Sequence, residues 1–149
     1  MSVAIAYPKV TVRRVIAAPR EAVFDAWLDA DSLAAWMLPR GMTHATATVE
    51  PREGGAYEIV MHGAGASYVH TGTYRVIDRP HRLVFTWSSD ATKHRPTLVT
   101  VELRADRRAT EVVVTHEQLP DADAIRSHTE GWTDVLDQLA VRITGGAGG

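Results

Sequence analysis

The sequence contains no cysteine. That excludes disulfides, thiolate nucleophiles and cysteine-ligated zinc or iron–sulfur centres. It also fits a reducing cytoplasm, the expected location. No apolar run approaches the ~20 residues of a bilayer-spanning helix, so membrane insertion is not expected. The opening stretch MSVAIAYPKVTVRRV lacks the apolar core and small-residue cleavage site of a secretory signal. A charge excess is missing too. The 16 Lys and Arg stand against 18 Asp and Glu, for a net charge of -2. Neither nucleic acid nor an acidic membrane is suggested as a partner.

Several chemical signatures are absent as well. No Gly-x-x-x-x-Gly-Lys-Ser/Thr phosphate loop occurs, and Gly54-Gly55 reads only as a turn. No Gly-x-Ser-x-Gly nucleophile elbow occurs. The seven histidines are scattered, without His-x-x-x-His or a facial carboxylate spacing. Neither a metal nor another cofactor is therefore expected. The spacing lets His62 and His70 oppose each other across a hairpin, but His62 then lies on the strand face opposite Met61.

What is present is an ordinary globular composition: 149 residues, 45% hydrophobic and 23% charged. One domain over residues 1–144 and a flexible glycine-rich tail over 145–149 are expected. Lys9 to Ala17 reads as a strand. Pro19 suits a first helical position, and Val23, Phe24, Trp27 and Leu28 follow at helical spacing. Asp29-Ala30-Asp31-Ser32 offers a fresh N-cap to a second short helix carrying Leu33, Trp36 and Met37. Pro39 and Gly41 end it.

The period then changes to two. Strands are predicted over 43–50, 56–62, 68–77, 82–88, 97–103 and 110–117, with a loose turn at 63–67 and a polar loop at 89–96. Tyr57, Ile59 and Met61 share one face; so do Leu83, Phe85 and Trp87, and Val112, Val114 and His116. From an N-cap at Asp121, the residues Ile125, His128, Trp132, Val135, Leu136, Leu139 and Ile143 form a helical stripe. That helix is ~33 Å long at 1.5 Å per residue. Inside it, Gly131 stands beside Trp132; the expected reason is close approach of a neighbouring element where no Cβ intervenes. Consecutive hairpins and one long amphipathic helix make an α+β fold, an antiparallel sheet covered on one face.

Specific residues also carry a family resemblance. They are Ala18-Pro19-x-Glu21-x-Val23-Phe24-x-Ala26-Trp27, Leu33-x-x-Trp36 with Pro39, and Gly54-Gly55. Further along stand Pro80-x-Arg82-Leu83-Val84-Phe85-Thr86-Trp87, His116 and His128-x-x-Gly131-Trp132-x-x-x-Leu136. From about Val10 to Ile143 the chain resembles the START-like (SRPBCC) superfamily. Within it, the chain is similar to small bacterial relatives of the C-terminal domain of the heat-shock-protein-ninety ATPase activator. The resemblance implies a helix-grip fold, a curved sheet of six or seven strands around the long helix, with a cavity between them.

That resemblance implies binding of a small, largely apolar molecule in the cavity. Trp36, Tyr57, Met61, Trp87 and Trp132 are its expected walls, and His70, His116 and His128 its polar anchors. No catalytic residue is assigned. An alternative is a cyclase- or hydrolase-type enzyme using a histidine acid/base in the same cavity. A chaperone-interacting module is the other alternative. It is disfavoured because the eukaryotic co-chaperone joins this domain to a separate N-terminal one. A homodimer is compatible with the sequence.

Overall fold

A computed structural model describes residues 9–145. The first eight residues and 146–149 of the expected glycine-rich tail lie outside the described residues. Seven strands, all paired antiparallel, form one curled sheet in the order β1-β7-β6-β5-β4-β3-β2. These are β1 (Val10–Ile16), β2 (His44–Val49), β3 (Ala56–Gly63), β4 (Ala66–Asp78), β5 (Arg82–Trp87), β6 (Thr97–Asp106) and β7 (Ala109–Glu117). The two strands first in sequence thus end at opposite edges. The connection between them is α1 (Arg20–Ala26) and α2 (Ala30–Trp36). The long α3 (Ala122–Ile143) follows β7 and completes the expected helix-grip α+β architecture.

The helix starts follow local chemistry. Asp29 caps α2 by accepting from the Ser32 amide at 2.9 Å, and Asp121 caps α3 by accepting from the Ala124 amide at 2.8 Å. Each bond satisfies one of the four orphan amides at a helix start. Pro19 sits one residue earlier than expected, as the extended residue before α1. Both α1 and α2 put Val23, Phe24, Leu33 and Trp36 into the core.

An irregularity in β4 helps the sheet to curl. The first part of β4 pairs with β3 and its last part with β5, and the register shifts between Tyr74 and Val76. Such an irregularity bends a strand and raises its twist. Next to the bend, a Cβ on Gly72 would lie 1.9 Å from the Thr86 carbonyl oxygen and 2.6 Å from the Tyr57 hydroxyl. The Tyr57 hydroxyl crosses this point to donate to the Thr86 carbonyl at 2.5 Å. Only glycine leaves room for that crossing.

Three local expectations differ from the structure. The segment 63–67 is no loose loop: β3 and β4 meet in a tight turn with Ala64 at φ 49° and Gly65 at φ 78°. Two successive left-handed residues match the twist of the flanking strands, and this outweighs the loose look of the local composition. The polar loop at 89–96 contains a 3₁₀ turn, Asp90–Thr92. Thr92 Oγ1 secures it by accepting from the Ser89 amide at 3.0 Å and placing its one proton between the Ser89 and Arg95 carbonyls, at 3.0 and 2.9 Å. Finally, His62 opposes His44, with rings stacked at 4.4 Å, while His70 opposes Ile59. The tight turn sets the register, and the register separates His62 from His70.

The core fills the concave face. From α3 come Ala124, His128, Trp132, Val135, Leu136, Leu139 and Ala140. Opposite them stand Leu83, Phe85 and Trp87 of β5, Val99, Val101 and Leu103 of β6, and Val112, Val114 and His116 of β7. Burying one large apolar side chain contributes about 1.5–3 kcal/mol, so this face dominates the favourable side of folding.

Gly72→Ala should lower stability by about 2 kcal/mol or more, because the added methyl overlaps a backbone oxygen and displaces Tyr57. The midpoint of chemical denaturation measures this; an unchanged midpoint would mean that the crossing is not tight.

Candidate functional site

At the deep end of the helix–sheet interface, hydrogen bonds of one direction link four residues. Trp132 Nε1 donates to His116 Nδ1 at 3.0 Å. Because an indole nitrogen can only donate, that imidazole nitrogen must be bare. The proton of a neutral ring is then on Nε2, which lies 2.6 Å from Thr97 Oγ1. Thr97 in turn donates to the Trp87 carbonyl at 2.6 Å. The relay ties α3 to β7, β6 and β5. His116 is fully buried. Burial, assisted by His128 nearby, pushes its pKa down to about 3. Both its nitrogens are occupied.

His128 packs edge to face on His116, with ring centroids 4.8 Å apart. Its Nδ1 lies 2.6 Å from the Ala124 carbonyl oxygen one turn back. A carbonyl can only accept, so Nδ1 carries the proton. Burial lowers the His128 pKa, which favours the neutral ring. Its Nε2 is then a free acceptor.

Beside this pair lies a cavity of about 190 Å³. One wall is α3, through Ser127, His128, Gly131, Trp132 and Val135. The sheet contributes Met61, His70 and Trp87. Met37 and Pro39, after α2, and Ala91 of the 3₁₀ turn form the rim. None of these residues is acidic or basic apart from the two histidines. The rim segment is tied to α3 at Arg40. Its backbone amide donates to Asp134 at 3.0 Å, and its guanidinium stands 3.7 Å from the same carboxylate. An opening of about 270 Å³ adjoins the cavity. It shares Pro39, Met61, His70 and Ala91 and adds Met42, Tyr68 and Asp90.

The structure therefore brings Met61, His70, Trp87, His128 and Trp132 around one space. Trp36, Tyr57 and His116 do not line it. Trp36 is fully buried, donates from Nε1 to the Ala26 carbonyl at 3.1 Å and meets Trp27 edge-on at 4.7 Å. Tyr57 closes a residual space of only about 10 Å³ beneath the cavity. His116 stands behind His128 and Trp132. Met37 and Pro39, at the end of the second short helix where the sequence suggests a rim, line the cavity. The sequence reasoning missed Ala91, Ser127 and Val135 as lining residues, because none carries a signal that separates a cavity wall from packing or a solvated face.

Gly131 needs a correction. A Cβ there would meet nothing within 4 Å, so no element approaches it closely. Its missing side chain leaves space in the cavity wall instead; close approach belongs to Gly72, and also to Gly55 and Gly63, where a Cβ would lie 2.2 Å from the Glu50 carbonyl oxygen and 2.3 Å from the Gly41 carbonyl oxygen. Two wall nitrogens, His70 Nδ1 and Trp87 Nε1, are buried without a hydrogen-bond partner. Burial pushes the His70 pKa down to about 4. Among the described residues, no three His, Asp or Glu side chains cluster as metal ligands would, and no helix is long and apolar enough to cross a membrane.

The buried neutral histidines make stability depend on pH. The folded pKa of His116, about 3, lies below the ordinary 6.5. On acidification the unfolded chain takes up the proton first, so the contribution is complete above 6.5 and falls as the pH drops toward 3. His70 acts in the same direction toward about 4. Urea midpoints should therefore decline between pH 7 and pH 4. His116→Gln keeps an acceptor for Trp132 and a donor for Thr97 but does not titrate, so its decline should be shallower. An identical slope in the variant would remove His116 as the cause.

The geometry agrees with comparisons to known proteins. A family model described as "Activator of Hsp90 ATPase homolog 1-like protein" matches residues 17–144. No curated protein matches the chain. A crystal structure of a Chromobacterium violaceum protein is 26% identical with a TM-score of 0.80, covering 91% of this chain and 96% of that one. A Rhodobacter sphaeroides protein is also 26% identical, with a TM-score of 0.78 and coverage of 92% and 93%. A solution structure from Arthrobacter aurescens, at 19% identity, reaches a TM-score of 0.80 over 93% of this chain and 87% of that one and shows the shared fold. With the matched segment running from just after β1 through α3, the chain belongs to the Hsp90 ATPase activator homolog 1-like family of the START-like superfamily.

Proposed function

We propose that the protein binds a small, largely apolar molecule between α3 and the sheet, in the cytoplasm. The observation that carries this reading is the cavity itself. It is about 190 Å³ of space faced by Met61, Trp87, Trp132 and Val135, with no acidic side chain and no lysine or arginine in its wall. Apolar pockets with a few polar groups are the usual form of small-molecule sites. A cavity of roughly 150 Å³ is enough to hold benzene, so this chamber suits a ring-sized body. A larger ligand would extend past His70 and Ala91 into the adjoining opening. Removing apolar surface from water there contributes about 25 cal/mol per Å².

Turnover is less well supported. An acid/base histidine would have to be His128 or His70, since both nitrogens of His116 are occupied. The family description names activation of the Hsp90 ATPase; the cavity supports ligand binding more directly than it supports that activity.

Tryptophan fluorescence offers the test, because the Trp87 and Trp132 rings stand 5.3 Å apart in the wall. Titration with one-ring and two-ring hydrocarbons should change the emission and raise the melting temperature. Gly131→Leu should fill the open space and abolish the response, while the fold gains helix propensity of up to about 1 kcal/mol. Absence of any response in the unmodified protein, across the whole series, would refute the proposal.

A further inference from the structure

Resting on that binding reading, we infer that the molecule held in the cavity is a neutral, single-ring compound bearing a hydroxyl group, which donates its proton to Nε2 of His128. The tautomer comes first. The Ala124 carbonyl, 2.6 Å from His128 Nδ1, accepts the proton held there, and the other nitrogen of the neutral ring offers a lone pair. A ligand meeting it must bring a donor. Burial lowers the pKa of His128 and so keeps that lone pair available near neutral pH.

The second observation is the setting of that lone pair. His128 lines the cavity beside Trp132 and Val135, and its hydrogen bonds within the protein are all made by Nδ1. A hydroxyl is the smallest neutral group that brings Nε2 a donor and adds little bulk to a ring. A hydrocarbon brings none.

Charge and size narrow the class. The cavity wall holds no acidic residue, lysine or arginine. An ionised ligand would be buried without a counter-ion, which is strongly unfavourable. At about 190 Å³ the chamber exceeds only modestly the ~150 Å³ that encloses benzene. The Trp87 and Trp132 faces and the Met61 thioether suit a flat, polarisable ring.

The experiment compares p-cresol, p-xylene and 4-methylbenzoate on the full chain at pH 7.5, by calorimetry and tryptophan fluorescence. p-Cresol and p-xylene differ by a hydroxyl in place of a methyl, with nearly the same shape. Water expels p-xylene more strongly, since each buried carbon adds roughly 0.8 kcal/mol. The expected result is that p-cresol nevertheless binds at least as tightly as p-xylene, with 4-methylbenzoate the weakest. In His128→Leu the order should reverse by about tenfold in favour of p-xylene, equivalent to about 1.4 kcal/mol. Retained p-xylene binding shows that the variant is folded, and His128→Met replaces it if it is not. If p-xylene is preferred equally in both proteins, the hydroxyl assignment is overturned while apolar binding stands. Tightest binding of the benzoate overturns the neutrality of the ligand. If neither neutral ring binds, both the inference and the reading beneath it fall.

Discussion

The relay from Trp132 through His116 and Thr97 to the Trp87 backbone is the interaction on which the interface depends. It joins the long helix to three successive strands at one buried place. Each bond contributes about 0.5–1.5 kcal/mol net, but breaking one leaves a buried group unsatisfied at about 1–3 kcal/mol. The relay therefore specifies geometry more than it adds stability. It fixes the rotation of the Trp132 indole, and that indole is a wall of the cavity. It also anchors a wider aromatic array: Trp132 lies 6.0 Å from Trp27, Trp27 lies 4.7 Å from Trp36, and His70 lies 4.8 Å from Trp87.

The direction of the relay decides what the histidines can do. His116 must stay neutral, because a proton on Nδ1 would oppose the Trp132 N–H. His128 packs against its edge, and a charge on either ring would be buried beside the other. Desolvation sets the same sign for both. The interface is thus a place of dipoles rather than charges. Burying an ion among such dipoles, without a counter-ion, is strongly unfavourable. A histidine that looks reactive in sequence is, in the case of His116, committed to holding a wall in place.

Much of the fold was legible in the sequence because its signals are local. Period-two runs marked the strands, and the stripe from Ile125 to Ile143 marked α3. Asp29 and Asp121 marked helix starts through their own side-chain bonds. The turn at Ala64-Gly65 was misread because strand pairing enforces two left-handed residues where composition suggested slack. Of the expected pocket residues, Met61, His70, Trp87, His128 and Trp132 do line the cavity, and each carries a chemical signature. Trp36 and Tyr57 share that signature yet serve packing. An apolar or aromatic residue facing inward can meet a void or another side chain, and the facing direction does not distinguish them.

The sequence by itself determined the order and type of the elements, the apolar face of each, and the absence of cysteine chemistry and of phosphate-loop and nucleophile-elbow motifs. These follow from residue type and spacing along the chain. The tertiary structure alone decided where space remains. A cavity is what packing between distant segments leaves unfilled, so Ala91 borders it without any mark in the sequence. Tertiary structure also decided which glycines are indispensable for space, Gly72 among them and Gly131 not, since a Cβ clashes only with what the fold brings near. It decided the protonation pattern of the histidines as well. A tautomer is set by the partners at each nitrogen, and for His116 those partners come from β6 and α3.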